Sequence, residues 1–118
     1  MPSPRYRSRV DLLQGTLDFI ILQTLKAGAQ HGYGLSQAIN ASSHETLKVE
    51  TGSLYPALHR LEKRGWVASS WQTSANSQRT KVYRLTPKGR VQLSREQSRW
   101  QQFVGAMAAL MAPRKSEG

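Results

Sequence analysis

The sequence predicts a mainly α-helical chain with one small β-hairpin and a long C-terminal helix. Before residue 65, apolar residues recur at the three- and four-residue intervals that are typical of amphipathic helices. After Gly65 two short runs, 66–72 and 80–85, are rich in aromatic and β-branched residues and flank a polar stretch. A last apolar pattern with heptad spacing runs from Leu93 to Met111.

The first two helices are predicted from their apolar stripes. The first is expected from about Thr16 to Ala27, because its leucines and isoleucines share one face and Gly28 can end it. The motif HGYG, residues 31–34, leads into a second short helix from about Tyr33 to Ala41. In the loop that follows, Leu47–Val49 is a candidate for a brief strand pairing.

The segment GSLYPALHRLEKRGW, residues 52–66, predicts a third helix over 52–64 with two different faces. Its leucines form the stripe of a core-facing helix, while the opposite face is small, polar and basic. Proline is tolerated in the first helical turn, so we expect Ser53 to be the N-cap and Pro56 to follow within that turn. Gly65 suits the C-terminal cap.

The remaining residues predict a hairpin and a fourth helix. The hairpin is formed by the two runs on either side of the turn-prone sequence TSANSQR, which makes its tip. Thr86 is the expected N-cap of the last helix and Pro87 its first residue, and the helix should end near Met111. Its heptad positions predict a dimerisation seam: Leu93, Gln97, Trp100, Val104, Met107 and Met111, with Phe103 on the same side.

This order of elements is that of a winged helix-turn-helix unit followed by a C-terminal dimerisation helix. Four segments are expected: a basic flexible arm at 1–11 with Arg5, Arg7 and Arg9, a DNA-binding domain at 12–86, the dimerisation helix at 87–112, and a tail at 113–118. The third helix would be the recognition helix and the hairpin would be the wing.

Charge indicates an anionic partner. The formal net charge is +10, and residues 51–100 carry ten Lys and Arg against two acids. Such a field favours nucleic acid or an anionic membrane surface. Because no apolar stretch is long enough to span a membrane and no secretory signal is present, we expect a cytoplasmic protein without a membrane partner.

Enzyme chemistry is not indicated. The chain has no cysteine, and His31, His44 and His59 lack metal-ligand spacing with acids. We also find no nucleophile elbow and no glycine-rich phosphate loop after a strand. We therefore expect a protein that is not an enzyme and holds neither a metal nor a cofactor.

Three stretches together resemble the PadR family of bacterial transcriptional regulators: HGYG at 31–34, GSLYPALHRLEKRGW at 52–66 and RTKVYRLTPKG at 79–89. The similarity extends from about Leu12 to Met111. It implies a winged helix-turn-helix regulator, usually a dimeric repressor that binds an inverted repeat near a promoter. It further implies that the recognition helix is 52–64 and that the wing is 70–83. The single C-terminal helix resembles the short subgroup of the family.

The predicted DNA-binding residues lie on the third helix and the wing. Arginine suits guanine edges, so Arg60 and Lys63 are candidates for base or phosphate contacts, with solvated surface charge as the alternative. The full set is Ser53, Tyr55, Pro56, His59, Arg60, Lys63, Arg79 and Lys81. A second function class stays open: a winged-helix adaptor that binds protein or RNA without recognising an operator.

The three tryptophans have different expected roles. Trp66 and Trp71 are expected to pack in the core and the hairpin. Trp100 is expected in the dimer core. The resemblance adds a second reading, in which a flat aromatic effector stacks on Trp100 between the subunits, near Phe103 and Met107.

Overall fold

The computed structural model describes residues 4–113, and it describes side chains from residue 15 onward. Four helices and a small antiparallel sheet confirm the predicted winged helix-turn-helix fold. The elements are α1 (Pro4–Lys26), β1 (Gln30–His31), α2 (Gly32–Ser42), α3 (Thr51–Lys63), β2 (Val67–Thr73), β3 (Arg79–Leu85) and α4 (Pro87–Met111). Among these residues no helix is both long enough and apolar enough to cross a membrane.

The core lies where α1, α2 and α3 meet the base of the hairpin. As predicted, the α3 stripe of Leu54, Leu58 and Leu61 is buried, and it packs in one cluster with apolar side chains of α1 and α2. Full burial of one such leucine stabilises the fold by about 1.5–3 kcal/mol. The stripe therefore holds α3 down and leaves its other face to solvent.

Helix α1 begins earlier than predicted, at Pro4 and not near Thr16. Proline is favourable in a first turn, and the arginines, leucines and glutamine that follow are good helix formers, so the helix continues through the less favourable Gly15. The segment 1–11, expected to be a flexible arm, therefore overlaps α1. Residues 1–3 and the side chains of Arg5, Arg7 and Arg9 lie outside the described part.

The sheet's third strand was missed, and the expected one does not form. Gln30–His31 pairs with β3 opposite Tyr83 and Val82, so the edge of β3 that β2 leaves free is occupied. Leu47–Val49 forms no strand. Asn40 Nδ2 donates to the Leu47 carbonyl (3.1 Å) and Ser36 Oγ donates to the Val49 carbonyl (2.8 Å). These side-chain bonds from α2 replace a ladder partner.

The expected N-cap of α3 is also wrong. The helix starts at Thr51 after Glu50, whose side chain makes no cap bond, and the first helical bonds run from Ser53 and Leu54 to the Glu50 carbonyl. Pro56 therefore lies inside the helix, where its missing N–H leaves the Gly52 carbonyl without a helical donor.

Helix α4 begins as predicted. Thr86 Oγ1 accepts a hydrogen bond from Gly89 N (2.9 Å) and donates to the Gly65 carbonyl (2.6 Å), which fixes the helix start to the end of α3. A Cβ at Gly89 would overlap the Trp66 carbonyl oxygen, so the close approach of α4 to the hairpin base requires glycine. Trp66 packs against the core, as expected.

Candidate nucleic-acid interface

The exposed face of α3 carries mostly small, polar and basic side chains. Its members are exposed and mostly small: Gly52, Ser53, Pro56, His59 and Lys63. No described atom lies within 4 Å of the position where a Cβ would stand on Gly52. A helix face without bulk at its N-terminal end can approach a groove closely.

Arg60 is not a free side chain. Its Nη2 lies 2.9 Å from Asp18 Oδ1 of α1, and the two side chains are 35% and 25% exposed. The guanidinium has five N–H donors, so this bond leaves others available for an outside acceptor. The structure thus places the strongest predicted base contact in an ion pair that sets its direction.

Tyr55 connects α3 to the start of α2. Its ring covers Gly32, where a Cβ would overlap the phenol, yet the residue remains 46% exposed. Beside it, His31 Nδ1 accepts from Gly34 N (3.0 Å) and caps α2. The HGYG motif is therefore explained by one close approach and one helix cap. The exposed part of Tyr55 stays available on the flank of α3.

A carboxylate of α3 holds the wing. Glu62 accepts a hydrogen bond from Ser69 Oγ of β2, and its Oε1 lies 4.0 Å from Lys81 Nζ of β3. Lys81 also lies 5.7 Å from the centre of the Tyr83 ring. Burial raises the pKa of the Tyr83 phenol, with the Glu62 carboxylate as a secondary cause. Lys81 is therefore directed along the inner face of the wing, towards α3.

The outer part of the wing carries an exposed aromatic residue. Trp71 was expected to pack within the hairpin, but it is 58% exposed. The Arg79 guanidinium lies 4.8 Å from the centre of its ring. The indole is exposed because it lies on β2 beyond the position where Ser69 contacts α3, so no helix covers it.

Two of the interface residues escaped sequence reasoning. Asp18 was read only as part of an apolar helix, and no local pattern could indicate its bond to a residue 42 positions away. For Glu62 the sequence predicted only a place in the third helix. Strand alternation could have found its bond to Ser69, because Ser69 shares a strand face with the buried Val67.

The N-terminal half of α4 packs within its own chain. Leu93 is buried in the protomer core, Gln97 Nε2 donates to Gln23 Oε1 of α1 (2.8 Å), and Trp100 stacks on Phe19 with ring centres 5.6 Å apart. Leu93 is therefore not exposed for a partner, which corrects the predicted seam. A heptad pattern does not tell whether the facing helix belongs to the same chain, and here α1 covers this part.

The C-terminal half of α4 is different. It exposes an apolar set: Phe103, Val104, Met107, Leu110 and Met111. Between the two halves, Phe103 meets Trp100 edge-on at 5.6 Å, and an open groove runs between α1 and α4 along Phe19, Gln23, Trp100 and Val104. This half has the composition of a buried surface, but no element in the described part of the chain covers it.

The four helices, the small antiparallel sheet and the exposed basic face of α3 define a protein of the winged helix-turn-helix class. Within the described residues no group of His, Asp and Glu could hold a metal ion. The model of the PadR-like family of transcriptional regulators matches residues 21–95. The chain belongs to this family, and it is a DNA-binding regulator.

Relatives and solved structures agree with this assignment. An uncharacterized protein of Lysinibacillus sphaericus is 29% identical over 92 residues, which cover 78% of this chain and 84% of that protein. A transcriptional regulator of Mycobacterium tuberculosis is 38% identical over 66 residues, which cover 56% of this chain and 58% of that protein. A transcriptional regulator from Clostridium thermocellum superposes with a TM-score of 0.77 at 28% identity, covering 86% of this chain and 99% of that one. A PadR-like transcriptional regulator from Bacillus cereus superposes with a TM-score of 0.76 at 27% identity, covering 88% of this chain and 99% of that one.

Proposed function

We propose that the protein is a dimeric repressor that binds an inverted repeat in duplex DNA, in the cytoplasm where that DNA lies. One observation carries this proposal: the small, basic face of α3 is exposed beside a wing that carries two cations, Arg79 and Lys81. In this arrangement α3 enters the major groove and the wing lies against the flanking backbone.

The predicted DNA-binding residues divide into groups with different roles in this proposal. Ser53 and Pro56 allow close approach, while Lys63 and His59 donate to phosphates. Arg60, held by Asp18, uses its remaining donors on a base edge. Tyr55 offers its exposed edge to the backbone. On the wing, Arg79 contacts DNA directly. Lys81 also contacts DNA, but the nearby Glu62 carboxylate offsets part of its charge.

The exposed half of α4 supports the dimer. Phe103, Val104, Met107 and Met111 are more than a third exposed, and a continuous apolar surface of this kind marks an interaction site. A second copy of the same helix supplies matching apolar residues, as a two-fold interface requires. The pair would present two α3 helices to half-sites about one DNA turn apart, roughly 34–36 Å.

The groove beside Trp100 supports an effector site as a further part of this proposal. Trp100 is half-buried between Phe19 and Phe103, and the groove opens next to it. A planar aromatic molecule stacked there, with Met107 adapting to its shape, would change how α4 meets its partner and so release DNA. The test is quenching of Trp100 by planar cationic dyes, with Trp66 and Trp71 replaced by Phe. Quenching that is identical with and without operator would contradict release.

DNA binding is tested with genomic fragments that the protein retains in vitro, sequenced and shortened to a labelled duplex. We expect Arg60→Ala with Lys63→Ala to weaken binding of that duplex strongly, since a base contact alone is worth about 1–3 kcal/mol. Arg95→Ala, an exposed arginine of α4, is the matched control. Normal operator binding by the double variant would contradict the proposal. Retention of RNA or protein in place of duplex DNA would favour the adaptor alternative.

A further inference from the structure

The outer strand of the hairpin has a free edge. In the sheet order β1-β3-β2, strand β2 pairs with β3 on one side, and no described strand pairs with its other side. The pairing with β3 is continuous from Val67–Leu85 to Thr73–Arg79, without a bulge. An edge of this kind presents unpaired backbone N–H and C=O groups, which can pair with another strand.

Hydrogen bonds at the two ends of the hairpin show which residues of β2 face this edge. At the base Thr86 N donates to the Trp66 carbonyl (3.1 Å), and at the tip Ser74 N donates to the Gln78 carbonyl (2.8 Å). In an antiparallel ladder alternate residues bond to the partner strand, so the even-numbered residues of β2 bond to β3. Beyond the buried base of the strand, the odd-numbered residues point their backbone N–H and C=O groups to the free edge: Ser69, Trp71 and Thr73.

This edge lacks the features that usually prevent strand pairing between molecules. Natural edge strands are commonly protected by a charged residue, a proline or a bulge. Residues 65–78 contain no charged side chain and no proline, although the chain has a net charge of +10 and Arg64 and Arg79 flank the stretch. The Lys and Arg residues of the sheet all lie on the central strand, β3. The edge of β2 can therefore meet a second copy of itself without repulsion between like charges on the paired strands.

We propose that β2 pairs with β2 of a second copy of the chain, and that this contact joins neighbouring dimers on DNA. Antiparallel pairing centred on Trp71 places each Trp71 opposite its counterpart and each Ser69 opposite a Thr73. A two-fold contact of this kind is self-complementary, so every edge-facing N–H meets a carbonyl. The two exposed indoles then form a cross-strand aromatic pair.

This pairing keeps the recognition helices of the joined copies on one side. Residues directly opposite each other in a sheet point to the same face, so the two copies share their faces. In each copy the face of β2 with Val67 and Ser69 packs on α3, since Val67 is in the core and Ser69 Oγ donates to Glu62. Both α3 helices therefore lie on the same side of the continuous sheet, as binding to one DNA molecule requires.

The contact should appear as cooperative binding. One pair of strands buries little area, so the contact is weak between dimers that are free in solution. Two sites on one duplex hold two dimers at a high effective concentration. We expect the second dimer to bind such a duplex at least about fivefold more tightly than a duplex with one site, the lower end of ordinary coupling. The effect should recur with each DNA turn of spacing, when both dimers lie on the same side of the duplex.

Cysteine cross-linking tests the pairing without DNA. The chain has no cysteine, and Trp71→Cys places one thiol on the two-fold axis, where the opposed Cα atoms would be about 5.5 Å apart and within disulfide range. Gln72→Cys is the matched control, because residue 72 is the exposed neighbour and lies opposite Ser70 in the proposed register. With oxidised glutathione as oxidant, we expect disulfide-linked chains to form about tenfold faster from Trp71→Cys.

A proline at the edge separates pairing from folding. Thr73→Pro removes one edge-facing N–H and leaves the bonds to β3 intact, because an edge strand tolerates proline where its N–H would face outward. We expect this change to abolish both the faster cross-linking of Trp71→Cys and the cooperativity on a duplex with two sites. Cooperativity is the ratio of two-site to one-site affinity for the same variant, so a direct effect on DNA contact cancels.

The outcomes separate this inference from the proposed function. Equal cross-linking rates for Trp71→Cys and Gln72→Cys, or cooperativity that Thr73→Pro leaves unchanged, would overturn the strand pairing and leave DNA binding by α3 intact. A wild-type chain that bound no duplex would refute the proposed function, and the cross-linking rates would still decide whether β2 pairs with a second copy.

Discussion

The bond between Asp18 and Arg60 offers the sharpest test of how the recognition helix is held. The two charged atoms are 2.9 Å apart, and both side chains are partly exposed. Solvent screening at this exposure reduces the coupling well below that of a buried pair, to about 1 kcal/mol. We therefore expect Asp18→Asn to lower the free energy of unfolding by about that amount. With a urea m-value of about 1–3 kcal/mol/M, the midpoint should fall by roughly 0.3–1 M.

The same change should alter DNA binding in the opposite direction. Asp18→Asn removes a negative charge beside the DNA and releases Arg60, so another phosphate contact becomes available. We expect the slope of log K against log salt to steepen by about 0.9, the value for one added phosphate contact. Affinity for a scrambled duplex should rise, while the ratio of operator to scrambled binding should fall because Arg60 is no longer directed.

A double-mutant cycle with Arg60→Gln measures the coupling itself, in urea unfolding and in anisotropy titrations over a salt series. Glu96→Gln is the control, because the Glu96–Arg99 pair has a similar 3.0 Å distance on one helix but its arginine is 69% exposed. A coupling energy near zero for Asp18 and Arg60, together with an unchanged salt slope for Asp18→Asn, would refute the reasoning.

Three further changes test other parts of the structure. Gly89→Ala should lower the free energy of unfolding in urea by about 3 kcal/mol, because its methyl group would overlap the Trp66 backbone. Gly105→Ala, on the open side of α4, is the control and should be neutral or stabilising. Equal urea midpoints for the two variants would contradict the packing of α4 on the hairpin base. Val104→Asp should give a monomer by sedimentation, since it places an unpaired carboxylate in the proposed interface, and an intact dimer would refute that assignment. Burial raises the pKa of Tyr83, so the contribution of this residue to stability is complete below about pH 10 and is lost as pH rises through the folded pKa. Tyr83→Phe should abolish this alkaline loss of stability. An unchanged loss in the variant would show that other groups cause it.

Local patterns predicted the parts of the fold that depend on neighbouring residues. The apolar stripe of α3 and the Thr86 cap followed by Pro87 were found from spacing and residue type, and the structure confirms them. The N-cap of α3 was misplaced for an instructive reason. We assumed that Pro56 must lie in the first turn, but α3 begins at Thr51, so Pro56 lies inside the helix.

Contacts between distant segments were beyond local reasoning. The direction of Arg60 depends on Asp18 of another helix, and the two-residue strand β1 exists only because β3 has a free edge. Trp100 shows the same difficulty: its heptad position is correct for packing, but the facing residue is Phe19 of the same chain. Patterns in one segment indicate that a face is buried, and they do not show by what.

The central claim is that α3 and the wing together form the surface that contacts DNA. The chain has no cysteine, so one introduced thiol can report on one position without background. Ser53→Cys marks the exposed face of α3, Ala75→Cys marks the wing tip, and Ser94→Cys on α4 is the control, since all three native residues are exposed. The measurement is the rate of thiol labelling with and without saturating operator. We predict that operator slows labelling at positions 53 and 75 and leaves position 94 unchanged; slowing at position 94 alone would contradict the account.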